Sequence, residues 1–201
     1  MRPTLIIIIL ILLAGCVGLD YDKISDEVVY EPEIALPVGS FGYQFNNAHE
    51  LPGDIPPIGD LTPIDVVLED TLFFSLNESF ESEEYIKRVY LHYDLVNRYP
   101  AKGTLRFYYL ENLGSAIEIT PVDGIQVDEA VIDENGIITK ESKETSFIEV
   151  TEHIDGLLSA DQMIIELEVN DLVLSNIVRL NFNKYSIQTS LGVRVELNIE
   201  N

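Results

Sequence analysis

The reactive side chains of this sequence are few. Its 201 residues include one Cys, three His, and 35 Asp+Glu against 12 Lys+Arg, for a formal net charge of −23. A lone thiol excludes an intramolecular disulfide and any multi-thiolate zinc site. His49, His92 and His153 lie in three separate segments without a His-x-x-x-His spacing, so no metal is expected from them. The acidic group Asp123, Asp128, Glu129, Asp133 and Glu134 lacks the alternating ligand positions of an EF-hand loop and reads as solvated turns. No Gly-x-Ser-x-Gly elbow or phosphate-cradling glycine loop occurs. With 35 acids, spacing alone singles out no glycosidase pair. The expectation is a non-enzymatic protein without a metal or cofactor. The excess of negative charge repels a phosphate backbone, so nucleic acid is not an expected partner.

The one thiol, Cys16, stands where chemistry is expected. Leu5 to Ala14 is an unbroken apolar run behind Met1-Arg2. It is too short for an ordinary transmembrane helix, which needs about 20 apolar residues, but it suits a secretory signal core. The residues that follow, Leu13-Ala14-Gly15-Cys16, resemble the lipobox of bacterial lipoproteins. That resemblance implies cleavage before Cys16, a diacylglycerol on its thiol and usually an acyl group on the new amine. A single chain would hold only marginally, since each buried methylene contributes about 0.8 kcal/mol, whereas two or three chains anchor firmly. Arg2 is the only charge within residues 1–15, so processing would leave the chain one unit more negative. Anionic headgroups would repel such a body, which is expected to stand off the membrane.

Residues 16–33 read as the acylated Cys and an acidic tether, kept solvated by Asp20, Asp22, Asp26, Glu27, Glu31 and Glu33. Residues 34–63 form a proline-rich lead-in: Pro37, Pro52, Pro56, Pro57 and Pro63, with Pro32 just ahead, disfavour helix and central strand. Irregular chain is expected there, with one short edge strand near Ile34–Val38.

From Asp65 onward the pattern alternates with period two, the mark of half-buried strands. Val89, Leu91, Tyr93 and Leu95 oppose Arg88, Tyr90, His92 and Asp94; Leu105, Phe107 and Tyr109 oppose Thr104, Arg106 and Tyr108. Met163, Ile165, Leu167 and Val169 form a third such face, and Leu191, Val193, Val195, Leu197 and Ile199 a fourth. Asp133-Glu134-Asn135-Gly136 marks a hairpin, Asp123-Gly124 and Asn183-Lys184 mark further turns, and Tyr99-Pro100-Ala101-Lys102-Gly103 is expected to join two neighbouring strands. Helix is confined to short turns near Thr151–Leu158 and Glu81–Ile86. These signals predict one all-β domain over residues 34–201, an antiparallel two-sheet sandwich of about seven to nine strands.

Tyr85, Tyr90, Tyr93, Tyr99, Tyr108 and Tyr109 crowd into one region, and Tyr pairs a large apolar ring with a polar tip suited to interfaces and sugar stacking. Tyr90 and Tyr108, on the polar faces of strands expected to be adjacent, are the candidate interaction surface; cross-strand pairing within the sheet is the plain alternative. Asn77-Glu78-Ser79 fits an N-glycosylation sequon, a reading a bacterial lipoprotein usually voids. Asp70-Thr71-Leu72 resembles the short motif that carries O-linked glycans in exported proteins of Bacteroidota, which makes Thr71 a candidate acceptor; otherwise it is an exposed strand-edge residue.

The lipobox, the acidic tether, the segment Glu31-Pro32-Glu33-Ile34-Ala35-Leu36-Pro37-Val38-Gly39 and the strand series together resemble small outer-membrane lipoproteins of Bacteroidota. Lys87–Tyr109, with Asn97 and Pro100 between two strands, is also similar to the Asn-Pro region of LEA-type-2-like β-sandwich domains. The resemblance implies a lipid-anchored protein of the cell envelope. Val17-Gly18-Leu19 delays the first acidic residue after Cys16, which leaves the periplasmic and surface faces both open. The leading expectation is an accessory subunit that binds an outer-membrane protein. The alternatives are a surface glycan-binding module and a pilus or adhesin subunit.

Overall fold

A computed structural model describes residues 32–80, 83–111 and 114–198. The expectations for Leu13, Ala14, Gly15, Cys16 and the tether through Glu31 lie outside the described residues. Among those described, no helix is long and apolar enough to cross a membrane.

The structure is an antiparallel β-sandwich. One sheet runs in the order β1 (Glu33–Tyr43), β11 (Ile187–Leu197), β3 (Ile86–Asn97) and β9 (Ser142–Glu149). The other runs β2 (Ile64–Phe73), β10 (Gln162–Leu172), β4 (Lys102–Leu110) and β5 (Ala116–Glu118), with β6 (Ile125–Val127) also pairing with β4. A separate ribbon joins β7 (Val131–Ile132) to β8 (Ile138–Lys140). The long strands alternate between the two sheets along the chain, the wrapped double Greek key of a jelly roll.

The alternating runs face as their patterns require. Val89, Leu91, Tyr93 and Leu95 are buried, as are Leu105, Phe107, Tyr109, Met163, Ile165, Leu167, Val193 and Val195. The two inner faces meet directly, with the Tyr93 and Phe107 rings 5.9 Å apart across the sandwich. One end of the core is filled by Tyr99, Phe182 and Tyr185, whose ring centroids lie 5.7–6.2 Å apart. The Tyr185 hydroxyl donates to the Gly136 carbonyl at 2.9 Å, tying this cluster to the β7–β8 turn. Elsewhere the segment Thr151–His153 and the helix Ile154–Ser159 lie over Tyr109. Gly156 is required there, because a Cβ would sit 2.3 Å from the Tyr109 hydroxyl.

The two sheets of the sandwich hold nine strands among the described residues, within the seven to nine expected, and the separate ribbon adds β7 and β8. Those two are of two and three residues, too short to leave an alternating signature. Two expectations are corrected. First, β1 spans eleven residues instead of the short segment Ile34–Val38. Pro37 is tolerated because β1 is an edge strand that, among the described residues, pairs only with β11, with a bulge between Pro37 and Gly39. Second, β3 and β4 are not neighbours within one sheet. The link from Arg98 to Ala101 carries the chain across the end of the core from one sheet to the other. Buried Asn97 fixes this crossing: its amide donates to the carbonyls of Ala101 at 3.0 Å and Asp128 at 2.9 Å, and its side-chain oxygen accepts from the Tyr99 amide at 2.8 Å.

Turn chemistry follows local demands. Gly136 takes φ 75°, while Asn135 stays out of the left-handed region, so the β7–β8 loop is not a two-residue Asn-Gly turn. The Asp133 carboxylate organises it instead, accepting from the amides of Asn135 at 2.9 Å and Ile137 at 2.8 Å. The backbone bond from Ile137, with that from Asn135, holds the Asp133 carboxyl below its ordinary pKa. The sequence expectations of short helical turns meet Glu83–Tyr85 and Thr151–Ser159.

Candidate functional site

Because side chains alternate along a strand, the even-numbered residues of β3 and β11 point away from the core. Register then assembles a surface from four strands. One row across the first sheet is Pro37, Gly192, His92 and Phe147; the row beside it is Ala35, Arg194, Tyr90 and Glu149. Ser190, Asp94 and Thr145 lie on the far side of the Gly192 row, and Glu33, Glu196 and Arg88 beyond the Arg194 row.

Small residues in the middle of this surface leave a trough. Gly192 has no side chain, and Ala35 and Pro37 rise little above the backbone. A glycine inside a long strand weakens it and often marks the close approach of another group. The result is a groove of about 550 Å³ lined by β1, β3, β9 and β11. That volume lies within the usual range of small-molecule sites.

One wall is aromatic carbon. The Tyr90 and Phe147 rings meet edge to face, with centroids 5.8 Å apart and planes at 82°. Phe147 is 62% exposed, a large apolar surface open to solvent among the described residues. Around this wall, polar groups are held in place. Arg88 donates to the Tyr90 hydroxyl at 3.3 Å and lies 3.6 Å from Glu196. Thr145 donates to the Asp94 carboxylate at 2.6 Å, and Arg194 pairs with Glu33. The hydrogen bond to Glu33 raises the pKa of Arg194 above its ordinary value, and that to the Tyr90 hydroxyl does the same for Arg88, so both stay charged.

Glu196 is the unusual member. It is only 8% exposed, and its Oε2 atom is buried without a hydrogen bond. An unsatisfied buried acceptor costs about 1–3 kcal/mol, and the Arg88 guanidinium 3.6 Å from this atom offsets part of that cost.

The opposite outer face is organised differently. Arg106 on β4 lies 3.4 Å from both Glu166 and Glu168 on β10 and 3.7 Å from Glu118 on β5. Burial works against the Arg106 charge, but hydrogen bonds to Glu168 and Glu166 outweigh it and raise its pKa. The Tyr108 hydroxyl donates to Glu166 at 3.4 Å; burial first, then the Glu166 and Glu118 charges, push Tyr108 up to about 12.

The two candidate tyrosines are therefore separated. Tyr90 lies in the groove of the first sheet, while Tyr108 lies among ion pairs on the second. They neither pair nor share a surface, which corrects the expectation of adjacent strands. Of the other tyrosines in that region, Tyr93, Tyr99 and Tyr109 are core residues, and Tyr85 is exposed away from the groove. The pattern did not single out Phe147, Gly192 or Arg194 as site residues, and placed His92 only on a polar strand face. The glycine at the centre of the clearest alternating run was the available signal.

Thr71 is exposed on β2, an edge strand, with its amide donating to Asp70 at 2.8 Å. Among the described residues, no group of three or more His, Cys, Asp or Glu side chains converges as a metal site.

No protein-family model and no curated protein matches the chain. Among solved structures, it is similar to a Parabacteroides distasonis ATCC 8503 protein assigned to the secreted class, at 12% identity and a TM-score of 0.46. That match covers 68% of this chain and spans 40% of the other. The enzymatically active domain of tailspike protein 4 from bacteriophage CBA120 aligns at 11% identity and a TM-score of 0.38, over 81% of this chain and 19% of that one. The K1 cleaved adhesin domain of Lys-gingipain from Porphyromonas gingivalis W83 aligns at 9% identity and a TM-score of 0.30, over 84% of this chain and 99% of that one.

Proposed function

We propose that this protein is a non-enzymatic binding module of the bacterial cell envelope. Lipid on Cys16 holds it at the outer membrane, and it works beside an outer-membrane protein through the exposed face of β1, β11, β3 and β9. The lipobox resemblance at Leu13-Ala14-Gly15-Cys16 supports the anchor. The acidic residues after it support a solvated tether, which would span roughly 50 Å if fully extended. The observation that carries the binding role is the groove floored by Gly192 and walled by Tyr90 and Phe147. Exposed aromatic carbon beside fixed hydrogen-bonding groups is the composition of a recognition site.

Two readouts test this reading in cells. Replacing Cys16 with Ala is expected to abolish labelling by a palmitate analogue and release the protein from the membrane fraction. A photo-reactive phenylalanine analogue at position 147 is expected to form adducts that the same analogue at position 108 does not. Unchanged membrane partition of Cys16→Ala would overturn the anchor. Equal adducts at the two positions, or none at either, would overturn the binding face.

A further inference from the structure

We propose that the groove holds a neutral saccharide, an inference that rests on the binding face proposed above and names its occupant. A sugar ring presents an apolar face of C–H bonds and a rim of hydroxyls that both donate and accept. The groove offers the complement of each. Phe147, exposed and braced edge to face by Tyr90, supplies a rigid aromatic platform. Asp94, His92 and Glu196 supply hydrogen-bonding groups along the same trough.

Glu196 lines the same trough as a carboxylate, which accepts and cannot donate, so a ligand hydroxyl beside it must donate. Its Oε2 atom is buried 3.6 Å from Arg88, which holds the side chain in place.

Charge then selects among polar ligands. Arg88 and Arg194 in and beside the groove are each matched to a carboxylate, Glu196 and Glu33 respectively, and Asp94 adds a further negative group. The site therefore has no surplus cation for a phosphate, sulfate or acidic sugar, and the whole chain carries −23. A neutral polyol with one apolar face fits both the sign and the shape. A protein partner would engage the broader face around the groove, because stable protein interfaces bury about 800 Å² per partner, whereas the trough itself is ligand-sized.

The test uses the full lipidated chain in a detergent without a sugar headgroup. Neutral gluco-, manno- and galacto-oligosaccharides are titrated by calorimetry, with an acidic oligosaccharide as the contrast. At least one neutral series is expected to bind and the acidic one to bind more weakly. Phe147→Ala is expected to reduce affinity about tenfold, with a thermal melt matching wild type because the ring is mostly exposed. Tyr108→Ala, on the other sheet, is expected to leave affinity unchanged.

If no neutral oligosaccharide binds while the analogue at position 147 still captures a partner in cells, the saccharide proposal is overturned and the binding face stands. Tighter binding of the acidic series has the same consequence. If neither binding nor adducts occur, both fail. Saccharide binding that survives Phe147→Ala but is lost in Tyr108→Ala also overturns both, because the ligand then sits on the opposite face.

Discussion

The two outer faces of the sandwich use the same side chains to opposite ends. Each carries a tyrosine, an arginine and several glutamates on neighbouring strands. On the β2–β10–β4–β5 face, Arg106 stands at the centre and reaches Glu118, Glu166 and Glu168, so the groups satisfy one another and the surface is closed. On the β1–β11–β3–β9 face, the arginines sit to one side of a strip where Ala35, Pro37 and Gly192 put almost nothing above the backbone. There the Phe147 ring remains exposed and one carboxylate oxygen, 3.6 Å from Arg88, lacks a hydrogen bond. The size of the central residue, rather than the inventory of polar groups, separates a self-satisfied face from a receptive one.

The largest effect should come from erasing that difference. Gly192→Val puts a branched side chain on the floor of the groove, where even a Cβ lies 3.3 Å from the Leu36 carbonyl oxygen. The added side chain occupies the space a bound ring would fill, so oligosaccharide affinity measured by calorimetry is expected to fall about 10- to 100-fold.

The next effect contrasts the arginines. Arg106→Ala strands three glutamates around a half-buried centre and is expected to lower unfolding stability by about 1–2 kcal/mol in urea. Arg194→Ala removes a single exposed pair with Glu33 and should change stability by less than about 0.5 kcal/mol. Equal losses would mean that the closed face is no better organised than the open one.

Much of the architecture was written in the sequence, and its limits have a physical cause. Period two specifies which residues of a strand face inward, and Val89, Leu91, Leu105, Phe107, Ile165 and Val193 do so. It does not specify which sheet a strand joins. For that reason Tyr99-Pro100-Ala101 read as a link between neighbouring strands, although Tyr99 and Ala101 are buried in a crossing over the end of the core. A surface hairpin would leave them exposed. β9 escaped notice because it is an edge strand whose inward positions include Ser142, Glu144 and Ser146, so Phe147 had no apolar pattern around it. Half of the groove was legible through Tyr90 and His92. The other half depended on a register that only the fold supplies.

A pH titration sharpens the comparison from the closed side. Burial, reinforced by hydrogen bonding to Glu144, pushes Tyr93 up to about 12, and burial with the Glu166 and Glu118 charges does the same for Tyr108, both from an ordinary 10.0. The folded state thus retains phenolic protons that the unfolded chain releases, and stability must fall as pH rises from 10.0 towards about 12. Tyr108→Phe is expected to flatten that decline in the thermal midpoint; an unchanged slope would show that the Tyr108 environment contributes nothing. The smallest effect belongs to Thr71→Ala on the exposed edge strand. It should alter stability by less than about 0.5 kcal/mol, while intact-mass measurement of the exported protein reports whether a glycan is lost.

The contrast between the faces comes down to whether the Gly192 face, and not the Arg106 face, receives the ligand. Two-dimensional amide NMR of the full chain, titrated with the neutral oligosaccharide that binds most tightly, resolves this residue by residue. Shifts are expected to concentrate at Tyr90, His92, Phe147, Gly192 and Arg194, with Arg106, Tyr108 and Glu166 unmoved. Shifts concentrated at Arg106, Tyr108 and Glu166, or no shifts with any neutral oligosaccharide, would refute the assignment of the ligand to the Gly192 face.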